Sequence, residues 1–119
     1  MDLLIFGPGF TGGYVGRALQ ALKWRVTGVN RGGGGGALAM SDVDAVRHAI
    51  ATCSHILSTV PPEGEVDPVL TQYGGDIASS PARWTGYLSS TGVYGNAGGA
   101  WVDETAPLNP GRRTARADA

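Results

Sequence analysis

The residues that most limit what this chain can become are Gly7-Pro8-Gly9-Phe10-Thr11-Gly12, because of what stands on either side of them. Before them, Leu3-Leu4-Ile5-Phe6 is an unbroken apolar run ending at glycine, the pattern of a strand buried on both faces of a parallel sheet. After them, Val15, Ala18, Leu19 and Leu22 recur at helical spacing, and Lys23 closes the stretch with a charge suited to a helix C-terminus. Arg25-Val26-Thr27-Gly28-Val29 then places β-branched residues at alternate positions, the mark of a second strand. Strand, helix and strand within roughly thirty residues make one βαβ unit, and its crossover is right-handed.

In that setting G-x-G-x-x-G is a dinucleotide-binding pattern with a physical rationale at each glycine. Gly7 permits the tight turn, Gly9 lets backbone approach a pyrophosphate, and Gly12 lets helix and strand pack closely. Backbone N–H groups at Phe10, Thr11 and Gly12 face the anion, with the helix dipole behind them. At the end of the second strand, where a carboxylate would hydrogen-bond the ribose 2′-hydroxyl, the chain has Asn30-Arg31. A guanidinium pairs bidentately with a 2′-phosphate, so the expectation from Arg31 is NADP favoured over NAD.

The rest of the chain continues the alternation. Gly32 to Gly36 is a polyglycine run with nothing to pack, expected as a flexible loop in place of a helix, and Ala37 to Met40 reads as a short strand. Ser41 is placed to cap a helix over Asp42 to Ile50. His55 to Val60 is the next strand, stopped by Pro61-Pro62, and a helix over Asp67 to Ile77 leads to a strand over Trp84 to Ser89. Beyond Gly95 the expectation is loop and tail, with a last helical turn near Thr114. The predicted fold is α/β, a Rossmann-like doubly wound parallel sheet of about five strands in the order 3-2-1-4-5, with a domain over 1–110 and an Arg-rich tail over 111–119.

With the glycine loop and the hydroxyl-rich "YLSSTGVYG" of Tyr87 to Gly95 in view, the chain resembles the extended and atypical short-chain dehydrogenase/reductases, which include NAD-dependent epimerase/dehydratase-like proteins. "STVPP" at Ser58 to Pro62 and "WVDETAPLNP" at Trp101 to Pro110 are similar to further segments of that group, so the resemblance runs from Leu3 to about Pro110. It implies an NAD(P)-binding oxidoreductase-type domain in which Ser58, Thr59, Val60, Ser89, Ser90 and Tyr94 line the nicotinamide side. Thr91 matches the family's catalytic Ser/Thr. The family's Tyr-x-x-x-Lys is absent: Tyr14, Tyr73, Tyr87 and Tyr94 are followed four positions on by Ala18, Ile77, Thr91 and Gly98, and Lys23 is the only lysine. A tyrosine works as acid or base near neutral pH only when a nearby cation lowers its pKa from about 10. Thr91 alone orients a carbonyl and moves no proton, so family-type redox catalysis by this chain alone is not expected.

Against the family pattern, the C-terminal substrate part is expected to be missing, and the uncovered sheet edge makes a homodimer one expectation. The alternatives are a non-catalytic NAD(P)-sensing module or an incomplete gene product. A net charge of -1 gives no field for nucleic acid, and the apolar runs are too short for a membrane span. The single Cys53 suits a reducing compartment, and a cytoplasmic location is expected. His48 and His55 have no metal-ligand spacing, and Asp103-Glu104 reads as a solvated acidic pair, so no metal is expected.

Overall fold

The computed structural model describes residues 1–119. Its elements run β1 Asp2–Phe6, α1 Phe10–Ala21, β2 Arg25–Asn30, β3 Leu38–Ala39, α2 Val43–Thr52, β4 His55–Ser58, α3 Pro68–Ala78, β5 Trp84–Tyr87, a 3-10 helix Thr91–Tyr94, and α4 Arg113–Asp118. The strands form one sheet in the order β3-β2-β1-β4-β5, the predicted order. Every pairing is parallel, with Leu4 opposite Thr27 on one side and Ile56 on the other. β1 lies at the centre, which is why its four apolar residues are almost wholly buried.

Alternation along β1 divides the interior in two. Leu4 and Phe6 face α2 and α3, joining Val29, Val46, Ile50, Cys53, Ile56, Val69 and Tyr73 in the main core. Leu3 and Ile5 face α1 and join Leu57, with Val15, Leu19, Trp24 and Val26 packed against them. Tyr73 is the largest fully buried side chain. It packs on Phe6 with ring centroids 6.0 Å apart, and its hydroxyl donates to the Met40 carbonyl. Burial raises the Tyr73 phenol above its ordinary pKa, and burial likewise pushes the Cys53 thiol up.

Helix ends show where local rules hold. Asp67 caps α3: its Oδ1 accepts from Val69 N at 2.8 Å and Leu70 N at 3.0 Å, and Pro68 follows in the first turn, where its missing N–H costs nothing. The cap expected from Ser41 does not form. The residue before α2 is Asp42, its side chain makes no capping bond, and the helix runs to Thr52. Lys23 is not in the last turn of α1 either, but beyond it at φ 67°, in the left-handed region of the turn that leads to β2. The expected turn near Thr114 is present as α4, held by its buried Ala115. No helix is long and apolar enough to cross a membrane.

Candidate functional site

The carboxyl ends of β1, β2, β4 and β5 gather the residues singled out above. Gly7 has φ +82°, a conformation that strains any side chain, and a Cβ there would stand 2.6 Å from Thr59 Oγ1. At Gly12 a Cβ would sit 2.7 Å from the Gly7 carbonyl and 3.3 Å from Ile5 Cγ2, so helix and strand close only over glycine. Gly9 is different, because a Cβ there would meet nothing within 4 Å. Two glycines are fixed by protein packing and the third leaves open space above the loop. Gly13 N then donates to the Gly9 carbonyl at 2.8 Å, which starts α1.

The loop is tied down by a residue whose part in it is not visible in the sequence. Thr59 Oγ1 donates to the Gly7 carbonyl and lies 3.3 Å from the Phe6 carbonyl, joining the end of β4 to the turn after β1. Its hydroxyl is thus turned toward the loop backbone. Ser58 Oγ accepts from Val60 N at 3.4 Å and closes the turn after β4. Phe10 and Thr11 open the first turn of α1, exposed to solvent, with the Phe10 ring edge-on to Tyr14 at 5.1 Å.

On the adenosine side, Asn30 is at the end of β2. Its Oδ1 is a buried side-chain oxygen with no hydrogen-bond partner, an acceptor that ordinarily costs free energy to leave unmade. A cavity of about 510 Å³ adjoins it, lined by Gly12, Gly13, Arg17, Gln20 and the glycines 34–36 among others. Arg31 does not turn to that cavity. Its guanidinium is 93% exposed, 3.3 Å from Glu63 Oε1, and Gly32 beside it has open space where a Cβ would be.

Past β5, Ser89 Oγ donates to the Ser90 carbonyl, and Ser90 Oγ accepts from Gly92 N at 3.0 Å, so Ser90 caps the 3-10 helix. Thr91 opens that helix, exposed, and Tyr94 closes it, half-buried. The hydroxyl residues that border the adjoining cavity of about 560 Å³ are Ser90 and Thr114, with Pro61, Pro62, Gly92, Gly95, Asn96, Arg112 and Asp118 around them, and Thr91 is outside this lining. Tyr87 points instead to the opposite end of α4, where its hydroxyl donates to the Asp118 carboxylate. Burial first, and that carboxylate second, raise the Tyr87 pKa above its ordinary value. Asp103 accepts from Thr105 N and Oγ1, which hold its carboxyl below the usual range, and this pair of contacts makes a loop turn.

No protein-family model and no curated protein matches the chain. Solved structures do. A conserved protein of unknown function from Silicibacter pomeroyi is 35% identical over 98% of this chain and 44% of its own, with a TM-score of 0.74. A candidate NAD-dependent epimerase/dehydratase from Methylobacillus flagellatus is 25% identical, over 98% of this chain and 46% of its own, at TM-score 0.75. A short-chain dehydrogenase/reductase superfamily protein from Agrobacterium tumefaciens, solved with bound NAD, is 20% identical over 99% of this chain and 42% of its own, at TM-score 0.74. The chain therefore has the fold of that superfamily's Rossmann domain and spans less than half the length of these structures.

The expectation of NADP over NAD is overturned. Where these solved neighbours name a dinucleotide it is NAD, as in the Agrobacterium protein. The physical reason is in Arg31 itself: a solvated guanidinium beside Glu63, on a loop of open glycines, is not held as a 2′-phosphate clamp. The inference from residue type failed because Glu63, 32 positions on, is the partner.

Proposed function

We propose that this chain is an NAD-binding Rossmann domain of the epimerase/dehydratase-like oxidoreductase type, one that holds and orients the cofactor without its own proton-transfer pair. The observation that carries this reading is the contrast among the three glycines: Gly7 and Gly12 admit no side chain because protein atoms fill the space, whereas Gly9 admits none only if a ligand comes there. Gly9 and the N–H groups of Phe10, Thr11 and Gly12 at the start of α1 would hold the pyrophosphate. Asn30 Oδ1, buried and unpartnered, would accept from the adenosine ribose 2′-hydroxyl, which would give the buried acceptor the donor it lacks. This assignment also suits NAD, whose 2′ oxygen carries a proton to give. Thr59 acts through the loop, holding the Gly7 carbonyl so that the turn is set before the ligand arrives.

When bound, NAD supplies the hydride chemistry. The chain supplies orientation through Ser89, Ser90, Thr91 and Tyr94, and no tyrosine with a lysine beside it to move the proton. Calorimetric titration of the folded chain with NAD tests the reading. Binding is expected in the wild type, with Gly9→Val weakened about tenfold or more because the isopropyl group occupies the pyrophosphate space. Asn30→Ala is expected to lose about fivefold to tenfold, one hydrogen bond, and Arg31→Ala to bind NAD unchanged. A folded wild-type chain that takes up no NAD at millimolar concentration, or a Gly9→Val variant that binds like wild type, would overturn it.

A further inference from the structure

The arginines of this chain are nearly all accounted for. Arg17 lies 4.9 Å from the Tyr14 ring centroid. Arg25 pairs with Asp2, Arg31 with Glu63, Arg47 with Asp76, and both Arg113 and Arg116 with Glu65. Arg83 donates to Met1 Sδ. Arg112 alone has no side-chain partner, and it borders the 560 Å³ cavity between the Pro61-Pro62 turn, the 3-10 helix and α4. The cavity wall is mixed, with prolines and glycines beside the polar Ser90, Asn96, Arg112, Thr114 and Asp118.

From this we propose that the cavity binds a small substrate by a single anionic group, a carboxylate or phosphate, with Arg112 as its anchor. Its volume is that of a small-molecule site. It opens beyond the carboxyl ends of β4 and β5, where open parallel sheets take their ligands. Its walls are set by packing: Ala115 is buried in α4 against the 3-10 helix, where Val93 is buried too, and a Cβ on Gly92 would touch the Ala115 methyl at 3.4 Å. Asn109 N donates to the Val93 carbonyl at 2.8 Å and fixes the segment that leads to Arg112. The cavity's hydroxyls can serve a neutral remainder of the ligand. Ser90 Oγ accepts from Gly92 N and keeps its proton to donate, and Thr114 contributes a second hydroxyl.

Charge limits the ligand to one anionic end. Asp118 borders the same cavity six residues after Arg112, and although its carboxylate accepts from Tyr87 it still repels a second anion. A hydroxy or oxo acid with one carboxylate fits this balance, and so does a singly phosphorylated alcohol, whereas a dicarboxylate meets Asp118. As a substrate site the cavity rests on the NAD reading above, but as an anion site it stands without it.

The test is calorimetric titration of the full chain, with and without NAD, using inorganic phosphate, glycolate and succinate as probes. Phosphate and glycolate are expected to bind at millimolar concentration, and succinate more weakly. Arg112→Ala is expected to weaken both by about tenfold, with partial recovery in Arg112→Lys. Arg113→Ala, which removes a guanidinium already paired with Glu65, should leave them unchanged. NAD titrates identically into all three variants if they are folded. Equal losses in Arg112→Ala and Arg113→Ala would reduce the effect to the net charge of the tail and overturn the site, as would wild-type affinity in Arg112→Ala or no heat from either probe. Anion binding that persists in a chain that takes no NAD would sink the substrate reading and keep the anion site.

Discussion

The two faces of this sheet are closed to very different degrees. On one side α2 and α3 cover nine mutually packed buried residues, from Leu4 and Phe6 to Tyr73. On the other, α1 alone covers three, Leu3, Ile5 and Leu57. The cause is topological. β1 to β2 moves one way along the sheet, whereas β3 to β4 and β4 to β5 move the other way, so right-handed crossovers put α1 on one face and α2 and α3 on the opposite one. The connection from β2 to β3 is polyglycine and adds no helix. What is left is an apolar recess of about 340 Å³ between α1 and β5, lined by Leu3, Val15, Leu19, Trp24, His55, Leu57 and Trp84. Aromatic rings step across it, Trp24 to His55 at 4.7 Å and His55 to Trp84 at 6.2 Å. Folding stability is therefore expected to come chiefly from one face, while the other behaves as surface.

The largest effect that follows is on the closed face. Phe6 has no solvent exposure and packs on Tyr73, and removing its ring leaves a cavity that rigid neighbours on two helices cannot fill. Phe6→Ala is expected to cost about 3–5 kcal/mol, read as the shift in a urea unfolding curve with the slope unchanged. A loss below about 1.5 kcal/mol, outside the range for such a deletion, would mean that the closed face relaxes as freely as the open one.

How much of this was legible in the sequence follows the range of the forces involved. The strand order, the βαβ unit, the turn at Gly7 and the close packing at Gly12 rest on local patterns: an apolar run, a helical period, and a turn that needs a positive φ at Gly7. Asp67-Pro68 is a local start signal of the same kind. Two strands end two residues before their expected limits, where the chain turns away from the sheet. β4 was expected to run to Val60 and stops at Ser58: Thr59 N still donates to the Phe6 carbonyl at 2.9 Å, but Val60 N turns back to Ser58 Oγ just ahead of Pro61-Pro62. β5 was expected to run to Ser89 and stops at Tyr87: Leu88 N still donates to the Ser58 carbonyl at 2.9 Å, and the chain then turns into the 3-10 helix that Ser90 caps. Arg31 was misread because its partner, Glu63, is 32 positions away, and Asn30, expected beside it on the cofactor side, holds the unpartnered oxygen. Ser41 failed as a cap although its local pattern was right. It is followed by a turn in which Val43 N donates to the Ser41 carbonyl, so the helix starts later.

A second substitution sharpens the contrast from the open face. Leu57 is as buried as many core residues, yet it borders the recess on the α1 side. Leu57→Ala should lose the transfer free energy of the removed carbons without the added cost of a closed cavity, about 2 kcal/mol. A loss near that of Phe6→Ala would place the recess among the closed parts of the interior.

The smallest effect expected, and the most discriminating, is at Trp84. Its side chain is the largest on β5, but the residue is 49% exposed, and the indole lies back over Gly86 of its own strand, where a Cβ would collide with the ring. The outer edge of β5 pairs with no other strand. Folding removes only about half of this ring from water, so Trp84→Ala should cost roughly 1 kcal/mol, measured by circular dichroism because the substitution removes a fluorophore. If the loss instead approaches 3 kcal/mol, the value for an aromatic ring fully enclosed, something covers this face in solution. A second copy of the chain is then the simplest cover, and it has its own signature. The unfolding midpoint of the wild type would rise with protein concentration, as it must when folding is coupled to association, and that dependence would vanish in Trp84→Ala. A midpoint independent of concentration together with a loss near 1 kcal/mol would leave the two faces as they are described above, one holding the fold and the other open.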